Sequence, residues 1–312
     1  MSSVRANERT KADVVNDDPR RGQLTVAVIQ CPLPGPREGN IACVERWVRH
    51  AAAQGAQVVL PPELFEGRYF PQREDPALFE EARPLLGNST IAHFAKIARE
   101  LQVVVPISFF ERDGQAYYNS VAVIDATGEI LGLYRKSHIP DGPGYSEKYY
   151  FRPGDTGFRV FDTQFGTIGV GICWDQWYPE CARTMTLLGA EILLYPTAIG
   201  TEPAEPEMDT KDPWQRVMIG HAVANSIPVA AANRIGGEDN MSFYGSSFIA
   251  NSRGDKVVEL SRTEEGVALA HFDRKEVAFE RNAWGFFRDR RTDLYETLLT
   301  ADGHTRARKP GR

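Results

Sequence analysis

Residues 166–172 read GTIGVGI and are followed directly by Cys173-Trp174-Asp175. The run is apolar throughout rather than alternating, which is typical of a strand that is covered on both faces. Pro179 suits the first turn of a helix that would end at Gly189. The stretch therefore predicts a strand, a sharp turn and a helix, with Cys173 exposed on the turn.

Further apolar runs of strand length alternate with stretches of helical period. The strand runs lie at 24–30, 57–60, 102–108, 191–195 and 228–233, hairpins are expected at 125–128 and 251–254, and helices are expected after a cap at Asn40, after Thr90 and from Asp212 to Asn225. This alternation indicates a layered α/β protein. The order β-α-β-α-β-β-β at 24–136 is approximately repeated at 158–272, which suggests internal duplication. We therefore expect two facing sheets with helices on their outer sides.

The composition is that of an ordinary globular protein, with 42% hydrophobic and 25% charged residues among 312. A net charge of -6 argues against a nucleic-acid partner and weakly favours cations or neutral molecules. No apolar stretch approaches the roughly 18 residues of a membrane span, and the first residues lack the apolar block of a secretory signal. We expect a cytoplasmic protein without a membrane partner. Residues 1–22 and 301–312 are polar and predict a flexible arm and tail around one domain at 23–300.

The four cysteines form no CxxC pair, so neither a disulfide framework nor a zinc ribbon is predicted. Cys31, Cys43 and Cys181 are interpreted as core thiols. His221 and Asn225 lie one turn apart on a predicted helix, but with no third ligand we favour a packing or hydrogen-bonding role. The glycines in GTIGVGI do not have the order of a dinucleotide-binding loop. No metal or organic cofactor is expected.

Three reactive side chains stand at the ends of predicted strands: Glu63, Lys136 and Cys173. Ligands of layered α/β proteins lie beyond the carboxyl ends of strands, so we expect these side chains to meet. Each has an ordinary structural interpretation when taken alone, as a helix cap, a solvated ammonium or a small buried hydrophobe.

The three groups together supply what a thiol nucleophile needs. A free thiol is mostly protonated at neutral pH, and Glu63 is a candidate base for Cys173. A carbonyl that is attacked by sulfur develops an oxyanion, which Lys136 and the backbone N–H of Trp174 are placed to stabilise.

Three segments around these residues resemble the catalytic motifs of the nitrilase superfamily of carbon-nitrogen hydrolases. They are Pro61-Pro62-Glu63-Leu64-Phe65, Tyr134-Arg135-Lys136-Ser137-His138-Ile139-Pro140 and Gly171-Ile172-Cys173-Trp174-Asp175. The resemblance extends over about 23–298. It implies a Glu-Lys-Cys triad on a four-layer αββα sandwich that pairs as αββα-αββα dimers and often as larger homo-oligomers. It also implies that Glu147 is a second catalytic glutamate, which positions Lys136 and assists proton transfer; His138 is interpreted as structural.

Within the superfamily, the segments 173–180, 195–203 and 286–291 most resemble the branch that hydrolyses N-carbamoylputrescine. The resemblance implies cleavage of a ureido C–N bond to give putrescine, carbon dioxide and ammonia, from a cationic small-molecule substrate. The residues predicted to bind that substrate are Trp174, Asp175, Trp177, Thr197 and Glu202.

The charges near Cys173 support a cationic substrate independently of the resemblance. A carbamoyl amino acid would need an arginine for its carboxylate, and the first arginine after Cys173 is Arg183. The loop after the strand at 191–195 is acidic, with carboxylates at 202, 205, 207 and 209. We expect Glu202 or Asp175 to bind the distal amine, although a solvated acidic loop or a structural Asp175 is an equally simple interpretation.

Other functions remain open at this stage. The nearest is an amidase, a nitrilase or a carbamoyl amino acid hydrolase of the same superfamily. A catalytically silent metabolite-binding protein, or a redox sensor that uses Cys173, belongs to a different class. The aromatic residues near Cys173, among them Tyr145 and Tyr178, either line the pocket or serve only in packing.

Overall fold

The computed structural model describes residues 22–305. Residues 1–21 of the predicted arm and 306–312 of the predicted tail lie outside the described residues. The strands are β1 (Gln23–Gln30), β2 (Val58–Leu60), β3 (Val105–Asp113), β4 (Ala116–Ile124), β5 (Ile130–Arg135), β6 (Val160–Thr163), β7 (Gly166–Val170), β8 (Ile192–Thr197), β9 (Val229–Asn233), β10 (Ile235–Glu238), β11 (Met241–Tyr244), β12 (Phe248–Ala250), β13 (Lys256–Glu259) and β14 (Gly266–Asp273). The α-helices are α1 (Arg37–Ala53), α2 (Ser89–Leu101), α3 (Glu147–Tyr150), α4 (Pro179–Leu187), α5 (Lys211–Asn225) and α6 (Arg274–Trp284).

The strands form two large sheets with the same plan. One has the order β14-β1-β2 and continues into β3-β4-β5 through backbone hydrogen bonds between Val104 and residues 57 and 59. The other has the order β13-β12-β9-β8-β7-β6. In each sheet the three central strands are parallel, and antiparallel strands lie on both edges. This shared plan agrees with the internal duplication expected from the sequence.

Three apolar clusters hold the layers together. The first lies between the sheets and includes Val28, Val121, Val170 and Leu194. The second packs the other face of the first sheet against α1 and α2, and the third packs the second sheet against α4 and α5. The predicted four-layer αββα sandwich is thus confirmed, and its continuous apolar strands are those covered on both faces.

One detail of the sequence prediction was wrong, and one element was missed. Helix α1 begins at Arg37, and Asn40 lies inside it, where its side chain accepts from Gly35 N and donates to Leu33 O instead of capping the helix. The hairpin β10-β11 was not predicted, because Gly236 and Gly237 interrupt its first strand. Neither difference changes the layers. Among the described helices, none combines the length and apolar character of a membrane span.

Candidate active site

The structure brings Glu63, Lys136 and the strand end at Cys173 to the same edge of the sandwich. Glu63 follows β2, Lys136 follows β5 directly, and Cys173 follows β7. Glu63 N donates to Thr197 O of the opposite sheet at 3.3 Å, which ties the two sheets together at this edge. The carboxyl ends of strands from both halves therefore supply the reactive groups.

Lys136 lies between two carboxylates. Its Nζ is 2.9 Å from Glu63 Oε1 and 2.9 Å and 2.7 Å from the two oxygens of Glu147. All three side chains have an exposed fraction of 0%. Buried charges of this kind are stable only when they are paired and hydrogen-bonded, and here one ammonium serves two acids.

The two carboxylates are held differently. Glu147 Oε1 also accepts from Tyr69 OH at 2.6 Å, so both of its oxygens are engaged. Glu63 Oε1 accepts from Asn119 Nδ2 at 2.6 Å as well as from Lys136. Glu63 Oε2 is buried and has no hydrogen-bond partner within the described residues. A buried carboxylate oxygen without a partner is rare, and at a reactive site it is the oxygen that remains available to take a proton.

Cys173 begins a tight 3-10 turn over Cys173–Trp177, ahead of α4. Its φ is +43°, a left-handed conformation that residues with a β-carbon rarely adopt. The side chain is 5% exposed, its sulfur lies 3.9 Å from Ala198 O, and it forms part of a pocket wall. The thiol is therefore reachable from the pocket but buried, which corrects the expectation that the turn leaves Cys173 exposed.

Burial and the charges around Cys173 disfavour its thiolate form. Burial, then the nearby Glu63 carboxylate, raises the pKa of Cys173 well above its usual value, and Lys136 only partly offsets them. Burial by itself lowers the pKa of Lys136, but Glu147 and Glu63 outweigh it and the net pKa is raised. Burial raises the pKa of Glu147 against the opposing effect of Lys136. Lys136 consequently remains an ammonium, and Cys173 rests as a thiol that needs a base.

A pocket of about 350 Å³ opens beside Cys173. Its described lining consists of Pro140, Asp141, Gly142, Pro143, Tyr145, Cys173, Trp174, Trp177, Ile199, Glu202, Ala204, Glu205, Met208 and Thr210. Trp174, Trp177 and Glu202 were predicted to bind substrate and do line it. Among these residues there are three carboxylates and no lysine or arginine. Burial and the neighbouring Glu205 raise the pKa of Glu202.

Asp175 was predicted to bind substrate, but it is not among the described residues that line this pocket. The side chain is fully buried and accepts hydrogen bonds from Ile172 N at 3.0 Å, Tyr134 OH at 2.7 Å and His138 N at 3.0 Å. His138 Nδ1 also lies 2.7 Å from Asp175 Oδ1. The 3-10 turn folds this carboxylate back onto the strand end, so Asp175 joins the Cys173 turn to the segment after Lys136.

Thr197, another predicted binding residue, is also absent from the described pocket lining. It is fully buried, and its hydroxyl donates to Gln176 Oε1 at 2.9 Å, which ties β8 to the turn after Cys173. Of the aromatic candidates, Tyr145 lines the pocket and its OH accepts from Gly200 N at 3.1 Å, whereas the ring of Tyr178 stacks on His138 at 3.6 Å between centroids.

Three residues of the site were not predicted: Tyr69, Asn119 and Arg234. Arg234 is buried, and its Nη2 donates to Glu63 O at 2.8 Å and Leu64 O at 3.0 Å. Arg234 directly follows β9, so it could have been predicted in the same way as Glu63, Lys136 and Cys173, from its position at a strand end. Asn119 lies in the middle of β4 and carries no comparable signal.

The described residues contain no group of three or more His, Cys, Asp or Glu side chains arranged to hold a metal ion. His221 Nε2 instead lies 2.9 Å from Gln176 O, and Asn225 Nδ2 donates to His221 O at 2.8 Å.

A family model described as carbon-nitrogen hydrolase matches residues 25–281. The chain belongs to the carbon-nitrogen hydrolases of the nitrilase superfamily. This carbon-nitrogen hydrolase is 54% identical to the N-carbamoylputrescine amidase of Oryza sativa subsp. japonica, over 90% of this chain and 96% of the relative. It is 49% identical to the citrullinase of Francisella tularensis, over 88% of this chain and 98% of the relative. The crystal structure of a carbon-nitrogen hydrolase from Helicobacter pylori G27 matches with a TM-score of 0.84 and 37% identity, over 89% of this chain and 99% of that chain.

Proposed function

We propose that this carbon-nitrogen hydrolase cleaves the ureido C–N bond of N-carbamoylputrescine to give putrescine, carbon dioxide and ammonia. The observation that carries the proposal is the pocket beside Cys173, whose described lining holds Asp141, Glu202 and Glu205 and no basic side chain. Such a lining favours an alkylammonium group, and Trp174 and Trp177 offer apolar contact to a methylene chain.

The names of the relatives support a ureido substrate. The rice relative is named for a carbamoylated diamine and the Francisella relative for citrulline, and both compounds end in a ureido group. Cleavage of citrulline is therefore the second candidate function. Citrulline also carries a carboxylate, for which a site would be expected to provide a cation such as arginine. The acidic lining favours the diamine.

In the proposed first step, Glu63 takes the thiol proton while the sulfur of Cys173 attacks the ureido carbon. Glu63 Oε2 is suited to this because Oε1 is engaged by Lys136 and Asn119. The raised pKa of Cys173 indicates that proton transfer accompanies the attack rather than preceding it. The ammonium of Lys136 and the N–H of Trp174 stabilise the oxyanion.

Ammonia then leaves with the proton held by Glu63, and a carbamoyl group remains bonded to the sulfur. Glu63 next activates a water molecule, which cleaves the carbon–sulfur bond and regenerates the thiol. The released carbamate decomposes to putrescine and carbon dioxide. Glu147 keeps Lys136 charged and fixed in position throughout both steps, because its two oxygens bind Nζ.

The test measures ammonia release from four compounds side by side: N-carbamoylputrescine, citrulline, N-carbamoyl-β-alanine and a simple aliphatic amide. We expect the highest kcat/KM with N-carbamoylputrescine and loss of all turnover in Cys173→Ser. Higher kcat/KM with citrulline selects the second candidate, and preference for the simple amide contradicts a ureido substrate. Turnover that persists in Cys173→Ser rules out the thiol mechanism and leaves a redox role for that cysteine.

Three further expectations belong to this proposal. We propose that the protein acts in polyamine biosynthesis, that it is cytoplasmic, and that it pairs into αββα-αββα dimers or larger homo-oligomers. Release of putrescine supports the first. Light scattering on the purified full chain tests the last, and a monomer at micromolar concentration contradicts it.

A further inference from the structure

The main chain directly after β8 forms the side of the site that faces the sulfur of Cys173. Ala198 is fully buried, and its carbonyl oxygen accepts from the thiol of Cys173 at 3.9 Å. Ile199, the next residue, lines the pocket beside Cys173, and the acidic loop with Glu202 follows it. The course of residues 198–199 therefore sets both the surroundings of the sulfur and the position of this pocket wall.

One side chain holds this segment where the pairing of the strands stops. The parallel ladder between β8 and β9 ends at the pair Thr197 and Asn233. Past that pair, Ile199 N donates to Asn233 Oδ1 at 3.0 Å, and Asn233 Nδ2 donates to Ile199 O at 2.9 Å. The amide thus binds both the donor and the acceptor of one residue, as a neighbouring strand would do.

The amide of Asn233 is itself fixed in position and orientation. The residue is fully buried, its Nδ2 also donates to Gly245 O at 3.0 Å, and its main-chain N donates to Ser247 Oγ at 2.9 Å. A flipped amide would place Oδ1 against two carbonyl oxygens, so the hydrogen-bond network determines which end is the donor. A side chain held in this way can fix the main chain that it binds.

Asn233 and Arg234 stand at the end of β9 between the two sides of the site. The Asn233 amide binds the segment that contacts Cys173, whereas Nη2 of Arg234 donates to Glu63 O at 2.8 Å. Glu63 N donates in turn to Thr197 O, at the end of β8. The thiol and its candidate base are therefore both joined to the end of the same strand through main-chain hydrogen bonds.

We propose that Asn233 is a positioning residue, which fixes Ala198 O and the Ile199 wall relative to the sulfur of Cys173. The inference rests on the proposed cleavage of N-carbamoylputrescine for the choice of substrate, whereas the hydrogen bonds of the amide are independent of it. The amide binds main-chain atoms, so Asn233 acts through Ile199 rather than at the reacting atoms. A displacement of about 1 Å can lower a rate about 100-fold, so loss of the amide should lower kcat more than it raises KM.

The experiment compares full-length Asn233→Ala with the wild type, per folded molecule. We expect kcat for N-carbamoylputrescine to fall about 10- to 100-fold, with KM changed less than about threefold. A second readout needs no substrate: the rate at which iodoacetamide alkylates Cys173, followed by mass spectrometry, should fall about tenfold because the sulfur is no longer held in place. If the wild type does not hydrolyse N-carbamoylputrescine, the proposed function fails, and the alkylation rate still tests the role of Asn233.

Asn88→Ala is the matched control. Asn88 is also buried and binds main-chain atoms, Thr90 N and Ile91 N, but at the start of α2, so its loss should reduce stability without changing kcat or the alkylation rate. Asn233→Ser leaves room for a water molecule in place of the amide, and its rates should lie between those of Asn233→Ala and the wild type.

The proposal is overturned if both Asn233 variants keep the wild-type kcat and alkylation rate, or if Asn88→Ala lowers the two rates equally. Failure of both Asn233 variants to fold also overturns it, because the amide would then serve the fold alone.

Discussion

Arg234 donates hydrogen bonds to the main-chain carbonyl of Glu63 and, on the same guanidinium, pairs with the buried Glu238 at 3.0 Å. Glu238 Oε2 in turn accepts from Tyr69 N at 2.6 Å, and the hydroxyl of Tyr69 binds Glu147. One buried ion pair thus supports both carboxylates that hold Lys136. We regard Arg234 as a positioning residue, because it touches the backbone of Glu63 and not its carboxylate.

Arg234→Lys keeps the positive charge but loses the guanidinium group that donates to the carbonyls of Glu63 and Leu64. We expect kcat for N-carbamoylputrescine to fall about 10- to 100-fold with KM nearly unchanged, because a small displacement of Glu63 affects the transition state more than binding. The measurement is kcat per folded molecule, with the folded fraction taken from circular dichroism. Arg68→Lys is the matched control, since Arg68 lies nearby on the surface and pairs with Asp239. A normal kcat per folded molecule in Arg234→Lys removes the positioning role.

Asp175→Asn tests whether this residue binds substrate or holds the turn. An amide cannot accept from all the donors that surround the carboxylate, so we expect a loss of unfolding free energy of about 1 to 3 kcal/mol. Turnover of N-carbamoylputrescine and of an uncharged N-alkylurea should fall by the same factor. A selective rise of KM for the cationic substrate would restore the hypothesis that Asp175 binds the amine.

The contrast between Asp175 and Glu202 shows which features of the site could be predicted from the sequence and which could not. Both are acidic and both follow strands at the reactive edge, so charge and position along the chain made them equal candidates. The difference arises from the 3-10 turn at Cys173, which points the Asp175 carboxylate back at Ile172 N. Sequence periodicity predicts strands and their ends, but not which way a side chain turns within an irregular segment.

Glu63→Gln should separate turnover from thiol ionisation. Turnover is expected to fall about 100- to 10,000-fold because the general base is lost. The pKa of Cys173 is expected to fall, since the Glu63 carboxylate is one of the causes that raise it while Lys136 remains nearby. Thiolate absorbance measures that shift, titrated in a Cys43→Ser background so that the half-buried Cys43 thiol does not contribute. A Cys173 pKa that rises or stays the same would show that Glu63 does not face the sulfur.

Glu202→Gln should raise KM for N-carbamoylputrescine roughly tenfold, equivalent to about 1.4 kcal/mol of binding free energy. KM for an uncharged N-alkylurea of the same length should hardly change. Glu207→Gln is the matched control, because Glu207 lies in the same loop but is not part of this pocket wall. Equal effects of Glu202→Gln on the two substrates would mean that the carboxylate does not bind the distal amine.

The pH dependence of KM gives an independent test of the same contact. Burial and Glu205 raise the pKa of Glu202 above its ordinary value of 4.5. Above that raised pKa the carboxylate is charged and attracts the ammonium; as the pH falls through it, the attraction is lost and KM rises. We expect this rise for the cationic substrate in the wild type and a flatter profile in Glu202→Gln. Parallel profiles in the two proteins would contradict it.

The supporting residues were harder to predict than the reactive ones. Glu63, Lys136 and Cys173 follow apolar runs, and the carboxyl ends of β2, β5 and β7 meet at one edge of the sandwich. Tyr69 donates from a loop to Glu147, which in turn holds Lys136, and Asn119 donates from the interior of a strand to Glu63. Contacts of that kind depend on the registry between distant segments, which no local pattern in the chain encodes.

The left-handed backbone of Cys173, with its φ of +43°, lowers the stability of the fold at the residue whose thiol is proposed to react. Glycine adopts such a conformation without penalty, whereas a side chain there costs of the order of 1 kcal/mol or more. Cys173→Gly would thus relieve the turn and abolish the chemistry in one substitution. Under the proposed mechanism, a redesign selected for thermostability alone would favour replacing the nucleophile, so position 173 should be kept as cysteine during optimisation.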